Sequence, residues 1–179
     1  KVLKFGGGCL KDAESIKNLP TILSHYDNDI VIVVLSAFGK MTNMLEDEKY
    51  EDVFSFAQNI MLELGFSSDD VENVLKERKK YLHFNHSLSY PDRVSIGEYL
   101  SSEIIDRYLK SKNIDNIQLD ATKYIFTESW DSDLNSSIFH SISLPDDFLK
   151  SIGNKNVITQ GFIASDISSF TKKIQITTL

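Results

Sequence analysis

Six consecutive apolar residues, Ile30-Val31-Ile32-Val33-Val34-Leu35, constrain the fold of this chain more than any other stretch. Five of the six are β-branched, which favours extended backbone. A half-buried strand alternates apolar with polar residues. This one has no polar position, so both of its faces are expected to be covered, as in parallel sheets flanked by helices. Another extended segment, Val2-Leu3-Lys4-Phe5, comes first. Between the two, Ile16, Leu19, Ile22 and Leu23 recur at helical spacing from Ala13 onward, with Pro20 expected to kink or restart the helix. Strand, helix and strand make a βαβ unit. Val2–Phe5 is therefore expected parallel to and beside Ile30–Leu35, with helices on both faces of the sheet.

Further along, two amphipathic segments, Lys49 to Leu64 and one capped by Ser68 or Asp69 and running to Leu82, flank Gly65 and read as an αα-hairpin. It either covers a binding edge or packs on a partner. Pro91 reads as a break, followed by a long helix from about Ser95 to Leu109. Strand character appears at Ile117–Leu119, Lys123–Thr127, Asn156–Ile163 and Lys173–Leu179, with a polar loop from Glu128 to Asn135 around Trp130 and a short helix from Pro145 to Lys150. Gly161 inside a strand suggests close approach to its backbone. Ser165 to Ser169 reads as a turn.

Chemistry concentrates where the first two strands end. Lys4-Phe5 is followed by Gly6-Gly7-Gly8-Cys9, and Asp12 can cap the helix that follows. Glycines before a helix start free backbone N–H groups for phosphate oxygens, and a lysine beside them adds a mobile cation. A plain glycine-rich turn with a surface lysine is the simpler alternative. Ser36-Ala37-Phe38-Gly39-Lys40-Met41-Thr42-Asn43 follows the second strand, and open α/β sheets bind ligands at such carboxyl ends. Glu98 reads either as a first-turn dipole partner or as a carboxylate that binds an amino group or orients a loop. His83 and His86 are three apart with no third ligand, so no metal site is expected.

At 179 residues the chain is expected to form one domain. A net charge of −7 argues against a general nucleic-acid surface. The single cysteine, Cys9, excludes an internal disulfide and suits a cytoplasmic setting. No apolar run is long enough to span a membrane, and no signal peptide is legible.

Lys4-Phe5-Gly6-Gly7 after a strand, Ser36-Ala37 with Gly39-Lys40 and Thr42-Asn43, Gly97-Glu98 with Leu100-Ser101, and Thr159-Gln160-Gly161-Phe162-Ile163 together resemble, in order, the motifs of the aspartate kinases within the amino acid kinase family. Gly8, Cys9 and Met41 depart from the family's usual hydroxyl or small side chains at those positions. The resemblance implies an α/β fold, an αβα sandwich on a mainly parallel sheet, with the helical hairpin as an insertion. It implies that residues 1–179 form a kinase-like catalytic domain incomplete at its C-terminus, ending before the family's arginine-containing motif. It implies ATP-dependent phosphorylation of the side-chain carboxylate of L-aspartate, the opening step of lysine, threonine and methionine biosynthesis, with ATP and Mg2+ as cofactors and L-aspartate and ATP as partners. A homo-oligomer is compatible with it. By matched position, Lys4 would offset charge on the transferring phosphoryl group, Gly6, Gly7 and Gly8 would hold phosphate oxygens, and Ser36, Thr42, Glu98 and Phe162 would surround the aspartate. No protein ligand for the metal is assigned. The alternative is a non-catalytic binding or regulatory module that retains the kinase fold.

Overall fold

A computed structural model of the chain describes residues 1–84, 88–128, 138–167 and 176–178. His86, the loop around Trp130, the end of the Ser165–Ser169 turn and the start of the last expected strand lie outside these residues.

The elements run β1 (Val2–Phe5), a 3-10 turn (Gly7–Leu10), α1 (Ala13–Lys17), α2 (Leu19–Ser24), β2 (Ile32–Leu35), α3 (Met41–Glu46), α4 (Tyr50–Glu63), α5 (Ser68–Phe84) and α6 (Tyr90–Ser111). There follow β3 (Asn116–Leu119), β4 (Ile125–Thr127), β5 (Phe139–Ile142), α7 (Phe148–Ile152), β6 (Asn156–Gln160), β7 (Ile163–Asp166) and β8 (Ile176–Thr178). β1, β2, β6 and β3 form an all-parallel sheet in the order β1-β2-β6-β3. A smaller mixed sheet has the order β5-β4-β7-β8. The expected βαβ unit is present, with Val2 to Phe5 in parallel register with Ile32 to Leu35.

β2 is covered on both faces, as its composition requires. Val33 and Leu35 face the large core, which α1 to α6 build with residues such as Ile16, Leu45, Leu100 and Ile104, joined by Phe38 from the segment after β2. Ile32 faces a smaller cluster of Phe148 and Ile152 from α7 with Val157. β6 divides in the same way, Ile158 on the large core and Val157 on the small one. β2 starts two residues later than expected because the Val31 N–H donates to the side chain of Asn156, at 3.2 Å.

Pro20 separates α1 from α2 by standing in the first turn of the second helix, where proline sacrifices no hydrogen bond. The helical hairpin forms as α4 and α5, and both helices pack on α6. Its second helix is capped one residue earlier than expected: Ser67 Oγ accepts from the Asp70 N–H, while Asp70 accepts from the Ser67 N–H.

Two expectations are corrected by tertiary context. Pro91 does not break the chain. It sits in the first turn of α6, which Ser89 caps at the Asp92 N–H, so the helix starts at Tyr90 rather than Ser95. Asn156–Ile163 is not one strand. β6 ends at Gln160, Gly161 and Phe162 turn, and β7 enters the other sheet, carrying Ser165 and Asp166 in extended backbone rather than in a turn. The close approach expected at Gly161 is real. A Cβ there would lie 3.3 Å from Val34 Cγ1 and 3.4 Å from Leu35 O.

Candidate functional site

β1, β2 and β6 end level, with Phe5 in register with Leu35, and Leu35 with Gln160. Whatever follows each strand is therefore delivered to one edge: Gly6–Gly8, Ser36–Lys40 and Gly161–Phe162. The middle segment ties the edge together through four successive N–H groups. Ser36 donates to Phe5 O at 3.0 Å, and Gly39 donates to Gly7 O at 3.2 Å. Between them, Ala37 donates to Glu98 Oε1 at 3.0 Å and Phe38 to Ser101 Oγ at 2.9 Å. One short segment thus bridges β1, the glycine loop and helix α6.

Two glycines permit these approaches. A Cβ on Gly7 would stand 2.8 Å from Gly39 O and 2.9 Å from Ala37 O. A Cβ on Gly97 would meet Ala37 Cβ at 2.9 Å and Leu45 Cδ1 at 3.1 Å. Helix α6 therefore reaches the bridging segment only because position 97 has no side chain, despite the cost of glycine in a helix interior.

Glu98 is 2% exposed. Its Oε1 accepts from Ala37, while its Oε2 is buried with no hydrogen-bond partner. Burial pushes its carboxyl up to about 8, against the downward pull of the Ala37 N–H and the Lys4 charge. It lies in the third turn of α6, so it is not a first-turn dipole partner. The reading as a loop-orienting carboxylate is the one the geometry matches, and the bare oxygen leaves room for a second task.

Lys4 lies in β1, exposed, in register with Val34. Gly6 to Gly8 lead into a 3-10 turn in which Cys9 N–H donates to Gly6 O at 2.9 Å. The first turn of helix therefore begins directly after β1. Asp12 caps α1 by accepting from the Ser15 N–H, so its carboxylate occupies that helix end. A Cβ on Gly6 or Gly8 would meet nothing within 4 Å, so the space beside both glycines is open. Ser36 is half-buried at the end of β2. Thr42 and Asn43 are not in a loop; they belong to α3, whose Met41 and Leu45 pack on Gly97. Phe162 takes a left-handed φ of 67° in the turn after β6. Lys4, the glycine loop, Ser36 and Glu98 are thus gathered at one edge. Thr42 and Phe162 flank it, without a side-chain hydrogen bond to the others among the described residues. No group of three or more His, Cys, Asp or Glu among the described residues could hold a metal ion.

Sequence reasoning assigned no role to Ser101, Gly97 or Gln160. Ser101 is fully buried and holds the Phe38 N–H. Gln160 pins the end of β6, accepting from the Ala121 N–H at 2.9 Å and donating to Ser102 Oγ at 2.7 Å. A glycine inside a strongly helical pattern was the one legible signal, marking close packing at position 97.

This is an α/β architecture with a polar site at the carboxyl edge of a parallel sheet. The chain belongs to the amino acid kinase family, whose model matches residues 1–171. It is similar to a bifunctional aspartokinase/homoserine dehydrogenase of Buchnera aphidicola, 28% identical over 93% of this chain and 24% of that protein. It is also similar to a chloroplastic aspartokinase 2 of Arabidopsis thaliana, 26% identical over 79% of this chain and 31% of that protein. Among solved structures, E. coli aspartokinase III in complex with aspartate and ADP matches with a TM-score of 0.75 and 22% identity, over 99% of this chain and 43% of that one. Clostridium acetobutylicum aspartate kinase matches with a TM-score of 0.68 and 24% identity, over 99% of this chain and 41% of that one. The chain therefore spans less than half the length of each of these relatives. No helix among the described residues is long and apolar enough to cross a membrane.

Proposed function

We propose that this chain forms part of an ATP-dependent aspartate kinase, which transfers a phosphoryl group to the side-chain carboxylate of L-aspartate and yields 4-phospho-L-aspartate. The observation that carries the reading is the bare, buried Oε2 of Glu98, at the strand edge that also holds the glycine loop. An ammonium group is the natural partner for an uncommitted buried carboxylate oxygen. An amino acid held there by its α-amino group can direct its other end toward the glycines.

In this reading Gly6, Gly7 and Gly8 hold phosphate oxygens, and Lys4 offsets the charge that develops as the phosphoryl group moves. Ser36, Thr42, Glu98 and Phe162 surround the amino acid. The acceptor oxygen attacks phosphorus, the bond to the ADP oxygen breaks, and no proton has to be removed because the acceptor is already a carboxylate. Catalysis then consists mainly of alignment and charge stabilisation. Mg2+ supplies charge neutralisation on the phosphates when bound, and no ligand for it is assigned within this chain. The same proposal includes residues 1–179 as the N-terminal part of a larger catalytic domain and a place for the reaction at the opening of lysine, threonine and methionine biosynthesis. The test is a coupled ADP-release assay on the full-length protein that carries this chain. L-aspartate-dependent release, absent with L-glutamate, is expected. No aspartate-dependent release would overturn the reading in favour of a binding or regulatory module.

A further inference from the structure

We infer that Ser101 is a positioning residue that sets the alignment between the amino-acid end and the phosphate end of the site. The kinetic part of this inference rests on the proposed kinase reading; the geometric part does not.

The bridging segment connects two places that have to stay in fixed relation. At Ala37 it is held by Glu98, the candidate ammonium partner. At Gly39 it is held by the carbonyl of Gly7 in the glycine loop. Phe38 lies between them, and its N–H is held by Ser101 Oγ at 2.9 Å. Ser101 itself is 0% exposed and one helical turn from Glu98, so both side chains leave α6 on the same face. Its own hydroxyl proton is directed at Met41 Sδ, 4.0 Å away, a weak acceptor that leaves the oxygen free to accept from Phe38. Phe38 is fully buried, so water does not replace a lost partner for its N–H.

Without Ser101 the segment keeps both ends and loses its middle. Glu98 still has a backbone donor and still presents a bare oxygen, so substrate binding is largely retained. What degrades is the spacing between Glu98 and Gly7. Misalignment of reacting groups appears in the rate of transfer rather than in binding.

The test compares Ser101→Ala with Ser101→Thr, which keeps the oxygen. In full-length protein, Ser101→Ala is expected to lower kcat about tenfold to a hundredfold while the KM values for aspartate and ATP stay within about threefold. Ser101→Thr is expected to recover most of the loss. A KM change with kcat intact, or equal loss in both variants, would overturn the inference. Amide hydrogen exchange on the same proteins supplies a readout independent of activity. Exchange at Phe38 and Gly39 should accelerate in Ser101→Ala while the amides of α6 keep their protection. Unchanged exchange at Phe38, or loss of protection throughout α6, would overturn it. Absence of kinase activity in the unsubstituted protein would remove the kinase reading alone, and the exchange experiment would still decide the role of Ser101.

Discussion

Glu98 grips the Ala37 amide at 3.0 Å with one carboxylate oxygen and leaves the other buried and unpartnered. The two residues are 61 positions apart in the chain. The bond explains why a glutamate is kept in the interior of a largely buried helix: it orients the segment after β2. The bare oxygen is what a hydrogen-bond-donating cation would complete.

Binding of an ammonium ligand at that oxygen is expected to release a proton. Burial holds the Glu98 carboxyl at about 8, so it is mostly protonated at pH 7, and a bound cation favours the ionised form. Calorimetric titration with L-aspartate at pH 7 in buffers of different ionisation enthalpy should report release approaching one proton per ligand bound. A binding enthalpy that does not depend on the buffer would exclude Glu98 as the ammonium partner.

Stability should fall with rising pH over the same range. Below about 4.5, the ordinary glutamate value, the carboxyl is protonated in both folded and unfolded chains. Between there and about 8 the unfolded chain ionises while the folded one keeps its proton, so the folded state loses ground as pH rises; above about 8 the loss is complete. Glu98→Gln retains an oxygen for the Ala37 N–H and cannot ionise. Denaturant unfolding at several pH values should therefore give a flatter profile for the variant across this window. Superimposable profiles would show that Glu98 does not titrate with folding.

Lys4→Ala is expected to separate activity from stability. The side chain is exposed, so its removal should change the unfolding midpoint little. In full-length protein, aspartate-dependent ADP release should fall by about 10²–10³, the usual cost of losing a contact that stabilises transition-state charge. A folded variant with near-normal turnover would remove Lys4 from the site.

Gly7 and Gly8 should differ in what they tolerate. Gly7→Ala places a methyl group 2.8 Å and 2.9 Å from two backbone oxygens that cannot easily move, and should destabilise by about 1–3 kcal/mol. Gly8→Ala meets nothing within 4 Å and should fold as the parent does. Its effect should appear only when phosphate is bound over the loop. Thermal unfolding of both variants, followed by nucleotide titration, checks the pair; equal destabilisation would mean that the glycine loop does not pack on the bridging segment as described.

Much of this architecture is legible in the sequence because it is local. Six apolar residues in a row require a strand covered on both sides, and the helical spacing from Ala13 to Leu23 supplies the crossover that makes β1 and β2 parallel neighbours. The positions after the first two strands could be picked out as the candidate site for the same reason, since parallel strands of matched register deliver their carboxyl ends to one edge. Local signals misled at Pro91, which marks a break or a first helical turn equally well until Ser89 is seen to cap Asp92. They also misled at Gln160-Gly161-Phe162, where one apolar run crosses from one sheet to the other.

The sequence by itself determined the first strand, the crossover helix and the second strand, their parallel pairing, and the glycines and serine that follow those two strands, because periodicity and backbone preference act within a few residues; Glu98 was placed with them by the family resemblance alone. Only the tertiary structure decided what those residues do to one another. The bond between Ala37 and Glu98 spans 61 positions, and that between Phe38 and Ser101 spans 63. The absence of a side chain at Gly97 matters only because Ala37 and Leu45 arrive there. Burial, hydrogen-bond satisfaction and the upward shift of Glu98 are properties of a packed interior, and no local pattern encodes which buried oxygen is left without a donor.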